Sequence, residues 1–342
     1  MSHHGGNNTK PVIVAILANA VIAVSKAVGY FFSGSSALLS ETIHSIADVM
    51  NQALLLIGIK RGSLGENEMF HYGHSQERFF WNLVSAMGIF VLGCGVTVYH
   101  GVHDLLHPTP FKQAGAEQYV IEIILLISLV MESYSFYVAV GEIRIQAQTR
   151  SKKFFAYLAE STDPSISAIF WEDLAAISGI LLALFGIVLT NLTGDKTFDS
   201  AASILIGLLM GWIAYHLAIE NKRFLTDRSI PDFEMRAIAK MLDDDKMIKS
   251  CSEIRTVVLG PDRLKFSAKV ELDMKELLPA VVEAELTKHS KGKKTGVKPE
   301  ELKTILSEYS VDLYEVQKKE IARVTKELES KVPNLKHVEL RI

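Results

Sequence analysis

Six stretches of this 342-residue chain are predominantly apolar over about 20 residues or more, the length a helix needs to cross the roughly 30 Å hydrocarbon core of a bilayer. They fall at 11–32, 36–60, 79–103, 117–140, 165–190 and 198–219. Each is predicted to be a spanning helix. The fourth is interrupted by Glu122 and Glu132, and the fifth by Glu172 and Asp173. A charge held in lipid is costly, so these side chains are expected to face a protein interior.

The overall hydrophobic content of 49% averages two unlike polymers, because from about 226 onward the chain is rich in Lys, Glu and Asp. Residues 232–245 (DFEMRAIAKMLDDD) read as a helix. EIRTVVLG and RLKFSAKVELD flank Gly260, Pro261 and Asp262, which supply turn chemistry for a hairpin. Residues 311–330 read as a second amphipathic helix and HVELRI as a closing strand. The order α-β-β-α-β predicts a small α+β layer domain. The expected organisation is a tail at 1–10, an all-α six-helix transmembrane domain at 11–222, and the α+β domain at 223–342 with a Lys-rich insertion near 287–305. His289 stands alone in that insertion, which is assigned no metal.

The Lys and Arg bias of short loops sets orientation. Lys60, Arg61 and Arg78 lie between spans two and three, Arg144, Arg150, Lys152 and Lys153 between four and five, and Lys222, Arg223 and Arg228 after six. The other loops hold only Lys112 and Lys196. Both termini and the α+β domain are therefore expected in the cytoplasm, with the spans in a bacterial inner membrane or an organelle membrane. The first ten residues lack the cationic and cleavage features of a targeting segment, so span one is expected to stay in the mature protein. Cys94 and Cys251 form no framework, and no disulfide is expected. A net charge of −3 without a basic stripe argues against a nucleic-acid partner.

Span two places Glu41, His44, Asp48 and Asn51 at intervals of three, four and three, which puts them on one helical stripe. A carboxylate at the bilayer centre costs about 2.5–3.5 kcal/mol on insertion scales, so something must compensate Asp48. With 1.5 Å per residue, Asp48 lies roughly 12 Å from the inner edge and Asp173 roughly 12 Å from the same edge. Two carboxylates and one imidazole balance a divalent ion. Mixed nitrogen and oxygen donors suit zinc, with iron, cobalt, nickel and manganese as further candidates ahead of magnesium or calcium. The same groups bind protons, so metal affinity falls with pH and exchange of metal for protons follows. The competing use of His44 and Asp48 is a helix-packing hydrogen bond, and Asp173 at a matching depth favours the metal. Glu172 points about 100° from Asp173 around the helix and is a second-rank ligand, expected to face another helix or to be protonated.

Other residues carry open alternatives. Glu132 reads as a buried structural acid ahead of a proton relay. His100, His103 and His107 read as solvated interface histidines ahead of an external metal site. In the loop EMFHYGHSQER, His71, His74 and Glu68, with Glu77 nearby, offer donors for a second metal, although His74 after a glycine equally suits a turn.

ANAVIAVSKAVGYFFSGSSALLSETIHSIAD, with Asn19, Lys26, Gly29, Gly34, Ser35 and the His44–Asp48 pair, resembles the first two spans of the cation diffusion facilitator family, and YGH at 72–74 resembles its following loop. DPSISAIFWEDLAAISGILLA and YHG at 99–101 look closest to that family's zinc transporter nine branch. The resemblance implies a ferredoxin-like fold for the cytoplasmic domain and a homodimeric antiporter that exports divalent metal, zinc first, in exchange for protons by alternating access. It also implies His44, Asp48 and Asp173 as ligands, no bound cofactor, and lipid, metal ion and protons as partners. Two positions depart from the pattern. Ile169 stands where the family places a second span-five histidine, and Phe70 where it places the first loop histidine, with His71 displaced by one. Glu172, a water or a tilt of span five are the substitutes for the fourth ligand. The missing histidine sustains a different class, a membrane metal sensor or partner-binding protein that binds without translocating. The sequence has no GxxxxGK[ST] and no HExxH, which argues against a nucleotide-driven pump and a metalloenzyme.

Overall fold

The computed structural model describes residues 10–107, 116–161, 164–277, 299–332 and 334–342. The tail at 1–9 and residues 287–298 of the Lys-rich insertion, His289 included, lie outside the described residues. Two compact units are present, Met1–Thr226 and Asp227–Ile342.

The first unit is helical: α1 (Lys10–Ser33), α2 (Ser36–Gly62), α3 (Glu77–Gly88), a π-helical segment (Ile89–Val96), α4 (Thr97–Leu106), α5 (Ala116–Thr149), the short α6 (Phe154–Glu160), α7 (Pro164–Thr193) and α8 (Thr197–Leu225). The π-helical segment joins α3 to α4 in one span, and six helices among the described residues are long and apolar enough to cross a membrane. Their burial is inverted relative to a water-soluble bundle. Val21, Val24, Phe31, Phe185 and Leu192 are exposed, whereas Lys26, Glu41, His44, Ser45 and Ser203 are buried. Lipid as the outer solvent accounts for this arrangement, since apolar side chains lose nothing there and polar ones must turn inward. The protein is an integral membrane protein.

Small residues set the helix spacing. A Cβ on Gly207 of α8 would lie 3.1 Å from the Val98 backbone nitrogen of α4, and one on Gly101 would lie 3.1 Å from that of Ile204. The two backbones therefore meet closely, as small residues permit in membranes. The span-three helix departs from regular α geometry over Ile89–Val96, a stretch that contains Gly93 and Gly95. Helix α5 continues to Thr149, beyond the expected end near 140. Its last turns carry Ile143 and Ala147, which pack with Tyr157, Leu158 and Phe170 in a satellite cluster, so tertiary packing extends it past the hydropathy limit.

The chain reverses between α1 and α2 at Gly34, whose φ of 63° is accessible to glycine without a Cβ clash. Ser35 then caps α2, its Oγ accepting the Leu38 N–H at 3.1 Å. Asp199 of α8 extends the cap by accepting the Ser35 hydroxyl at 2.7 Å and the Ser36 N–H at 2.6 Å. Asp199→Ala is expected to lower stability by about 1 kcal/mol, the usual worth of a helix N-cap, with Asp199→Asn losing less. Thermal unfolding in detergent measures both.

The second unit contains α9 (Asp232–Asp243), β1 (Ile248–Gly260), β2 (Arg263–Leu272), α10 (Pro299–Lys331) and β3 (Leu335–Arg341). The sheet order is β1-β2-β3, antiparallel between β1 and β2 and parallel between β2 and β3. Leu264, Phe266, Ala268, Val270 and Leu272 are all buried, the period of two that places alternate strand residues on one face. Helix α9 packs on β1 and α10 on β3, with Ile238, Leu242, Val324 and Leu328 buried. Helix α10 begins at Pro299 instead of near 311 and takes in residues 299–305 of the Lys-rich segment. Proline followed by two glutamates is a favourable helix start, a signal that the segment's lysines and glycines obscure. Strand β1 begins at Ile248, earlier than the expected 253, with an irregular register around Glu253, where φ is 50°.

Candidate metal site

Helices α1, α2, α5 and α7 line an open cavity of about 640 Å³. Asp48, Asn51 and Gln52 line it from α2, Glu132 and Ser135 from α5, and Glu172 and Asp173 from α7. Asp48 and Asp173, distant in sequence, thus share one polar space. Ser135 donates to Asp173 Oδ2 at 3.2 Å. The Asn51 amide donates to both Glu172 carboxylate oxygens at 2.8 Å, and the Ser85 hydroxyl donates to Asn51 Oδ1 at 2.6 Å. Asn51 is therefore locked in orientation and presents its donors to Glu172.

Glu172 faces another helix, as expected, its carboxylate accepting from Asn51 of α2. Glu172 also lines the cavity that Asp173 lines. Glu132 also lines it, which a structural acid buried elsewhere would not do.

His44 does not line the cavity. It sits one turn up α2, 6% exposed, with Nε2 3.5 Å from Asp48 Oδ2 and without a hydrogen-bond partner. Among the described residues, no three His, Cys, Asp or Glu side chains converge tightly enough to hold one ion. The structure brings Asp48, Glu172 and Asp173 to one space and His44 to its edge without closing them on a single point. Ile169 is 44% exposed and is absent from the lining.

The loop donors separate. His74 Nδ1 is 3.2 Å from Glu77 Oε1 and its Nε2 is 3.3 Å from Asn67 Nδ2, and its ring packs 4.3 Å from that of Phe70. His74 thus ties the loop to the start of α3. His71 and Glu68 are exposed and complete no three-donor group with it. At the other end of span three, His100 and His103 both pair with Asp104, at 3.1 and 3.3 Å, and Ser36 Oγ donates to the same carboxylate. His107 Nδ1 lies 3.2 Å from the His103 carbonyl.

One buried ion pair escaped the sequence reading. Lys26 Nζ of α1 lies 2.9 Å from Glu41 Oε2 and 3.0 Å from Ser45 Oγ of α2, with the charged side chains 1% and 0% exposed. The signal was available: an antiparallel helix pair hinged near Gly34 brings together residues equidistant from the hinge, and positions 26 and 41 are nearly so.

Residues 12–226 match the family profile described as the cation efflux transmembrane domain. The chain belongs to the cation efflux family. Within that family it is 33% identical over 334 residues to the human protein named proton-coupled zinc antiporter SLC30A9, mitochondrial, covering 97% of this chain and 58% of the human one. The Xenopus laevis protein of the same name is 31% identical over 337 residues, covering 97% and 59%. Metal tolerance protein C4 of Arabidopsis thaliana is 28% identical over 340 residues, covering 98% and 73%. This cation efflux protein therefore spans somewhat more than half the length of its vertebrate relatives and lies close to their branch.

Proposed function

We propose that the protein is a secondary transporter that exports divalent metal, zinc first, from the cytoplasm in exchange for protons. The observation that carries this reading is the meeting of Asp48 and Asp173 on one cavity within six apolar helices. The names of the vertebrate relatives, which couple zinc to protons, add to it.

In this reading Asp48, Asp173 and His44 are the transport ligands, with Glu172 beside them. A divalent ion displaces their protons on the cytoplasmic side, and the metal-bound helices rearrange to expose it to the other side. Protons then replace it before the return. Coupling needs no further device, because ligands that must shed protons to bind metal bind it less well in acid. Iron, cobalt, nickel and manganese compete for the same donors. The positive loops favour a cytoplasmic side for both termini and the α+β unit, and in this reading the unit adopts a ferredoxin-like arrangement and joins two copies as a homodimer. His71, His74 and Glu68 contribute no ligand essential to this cycle.

A second reading, a membrane sensor that binds metal without moving it, draws on the exposure of Ile169 and the unclosed donor set. Purified protein in liposomes holding a zinc-sensitive dye separates the two. With an acid interior, zinc uptake is expected to exceed that without a pH gradient. Zinc binding in detergent with no uptake in liposomes overturns the transporter reading in favour of the sensor.

A further inference from the structure

We propose that the buried Lys26–Glu41 ion pair is the gate that closes the transport cavity on the face of the membrane away from the chain termini. This deepens the transporter reading and rests on it. The cavity ends abruptly in one direction. On α1 its lining stops at Ile22, and on α7 at Ala176. Lys26 and Gly179 come one turn farther, about 6 Å and about 5 Å along their helices. On α2, which runs the opposite way, no lining residue precedes Asp48, and Glu41 lies about 10 Å beyond it. Toward the termini the lining continues to Gln52 of α2 and Glu142 of α5. The cavity therefore reaches toward the termini and stops short of a layer formed by Lys26, Glu41 and Gly179.

That layer is shut. Lys26 is 1% exposed and Glu41 0%, with Nζ 2.9 Å from Glu41 Oε2 and 3.0 Å from Ser45 Oγ. A Cβ on Gly179 would collide with Glu41 Oε1, so the carboxylate occupies the space that a larger residue of α7 would fill. On α5, Ser128 and Leu125, beyond the last lining residue Met131, are buried as well. One polar pair thus joins α1 to α2 and abuts α7 in the plane that an ion leaving Asp48 and Asp173 must cross.

Adhesion alone does not call for charges there. Two buried ions contribute little net stability compared with well-packed apolar residues, so an apolar pair would hold the three helices at least as well. A charged pair adds an easier parting. Once separated into water, both groups regain the hydration lost on burial, which apolar side chains would not. Glu41 Oε1, buried and without a hydrogen-bond partner, has that hydration still to gain. When the pair parts, the space holding Asp48 and Asp173 opens to the opposite face.

Sided thiol labelling tests the gate. Cysteine replaces Ser135, an exposed residue of the cavity lining, in the full-length protein in sealed membrane vesicles of each sidedness. The probe is a charged, membrane-impermeant methanethiosulfonate. Mass spectrometry of the peptide carrying position 135 separates it from the native Cys94 and Cys251, and Cys251 in the α+β unit reports which face the reagent reached. With the native gate, labelling from the face carrying the termini is expected to be at least about tenfold faster than from the opposite face, since a shut gate confines the opposite opening to a minor state of about 10% or less. Lys26→Ala with Glu41→Ala, which empties the layer, is expected to bring the two rates together. Equal rates with the native gate, or undiminished asymmetry in the alanine pair, overturn the proposal.

Lys26→Met with Glu41→Leu fills the layer without charge and leaves no ion unpaired, so it is expected to fold even where the alanine pair does not. It should keep the labelling asymmetry, and native zinc affinity by calorimetry in detergent, while losing most zinc uptake into liposomes, because an apolar gate regains nothing on parting. Native uptake by this variant overturns the proposal. Lost zinc binding does so too, by placing the pair in the ion site. A native protein that takes up no zinc fails the transporter reading instead, and the labelling, which needs no zinc, still decides where the cavity closes.

Discussion

Alanine in place of Asp48 or of Asp173 is expected to reduce pH-driven zinc uptake to the level of protein-free liposomes. Each change removes a charged donor from a cavity walled by helices that face lipid on their outer sides. Disturbing an outer-shell partner of a metal already costs about 10–100-fold in affinity, so loss of an inner donor is expected to reach about 100-fold, or ~2.7 kcal/mol. Stability should move the other way. Asp48, Glu172 and Asp173 crowd one space, and deleting one carboxylate relieves both repulsion and desolvation. Sites held strained for function commonly show this exchange of activity for stability. The expected signature is therefore lost uptake with an unchanged or raised melting temperature. Native uptake by either variant would sink the assignment, and lost uptake with a collapsed melting temperature would attribute the defect to folding.

The legible parts of this protein are those governed by short-range periodicity. Span lengths follow from hydropathy, and the shared level of Asp48 and Asp173 from the rise per residue of two antiparallel helices. The hairpin at Pro261–Asp262 follows from turn chemistry. What was hidden depends on how helices face one another. That Glu172 faces another helix follows from the 100° between it and Asp173, but its partner there, Asn51 of α2, is fixed by how α2 and α7 pack. The extension of α5 to Thr149 depends on Tyr157 and Phe170, which no window over α5 contains. The π-helical turns of span three occur where Gly88 and Gly93 meet Met50 and Met210, contacts between distant segments. His74, open to two readings in the sequence, is engaged by Glu77 and Asn67, which the spacing alone does not select.

Lys26→Met is expected to destabilise the protein by about 3–5 kcal/mol, the range for removing one partner of a buried ion pair. Its Glu41 partner is fully buried, with Oε1 already lacking a hydrogen bond and pressed toward Gly179 of α7, where an added Cβ would collide with it. Without Lys26, that carboxylate must either remain charged in a poorly polarisable interior or take up a proton. Both raise the free energy of the folded state. The pair itself contributes much less than this loss, because two charges withdrawn from solvent forfeit hydration that their attraction only partly returns. Lys26→Met combined with Glu41→Leu should therefore recover most of the stability, and the coupling between the two changes in a double-mutant cycle should be large and favourable to the native pair. Thermal unfolding of the four proteins in one detergent gives the cycle. A single variant that melts with the native protein would remove the pair from the forces that hold α1 to α2. A double variant no more stable than the single would show that Glu41 has a second obligation, to α7 through Gly179, beyond neutralising Lys26.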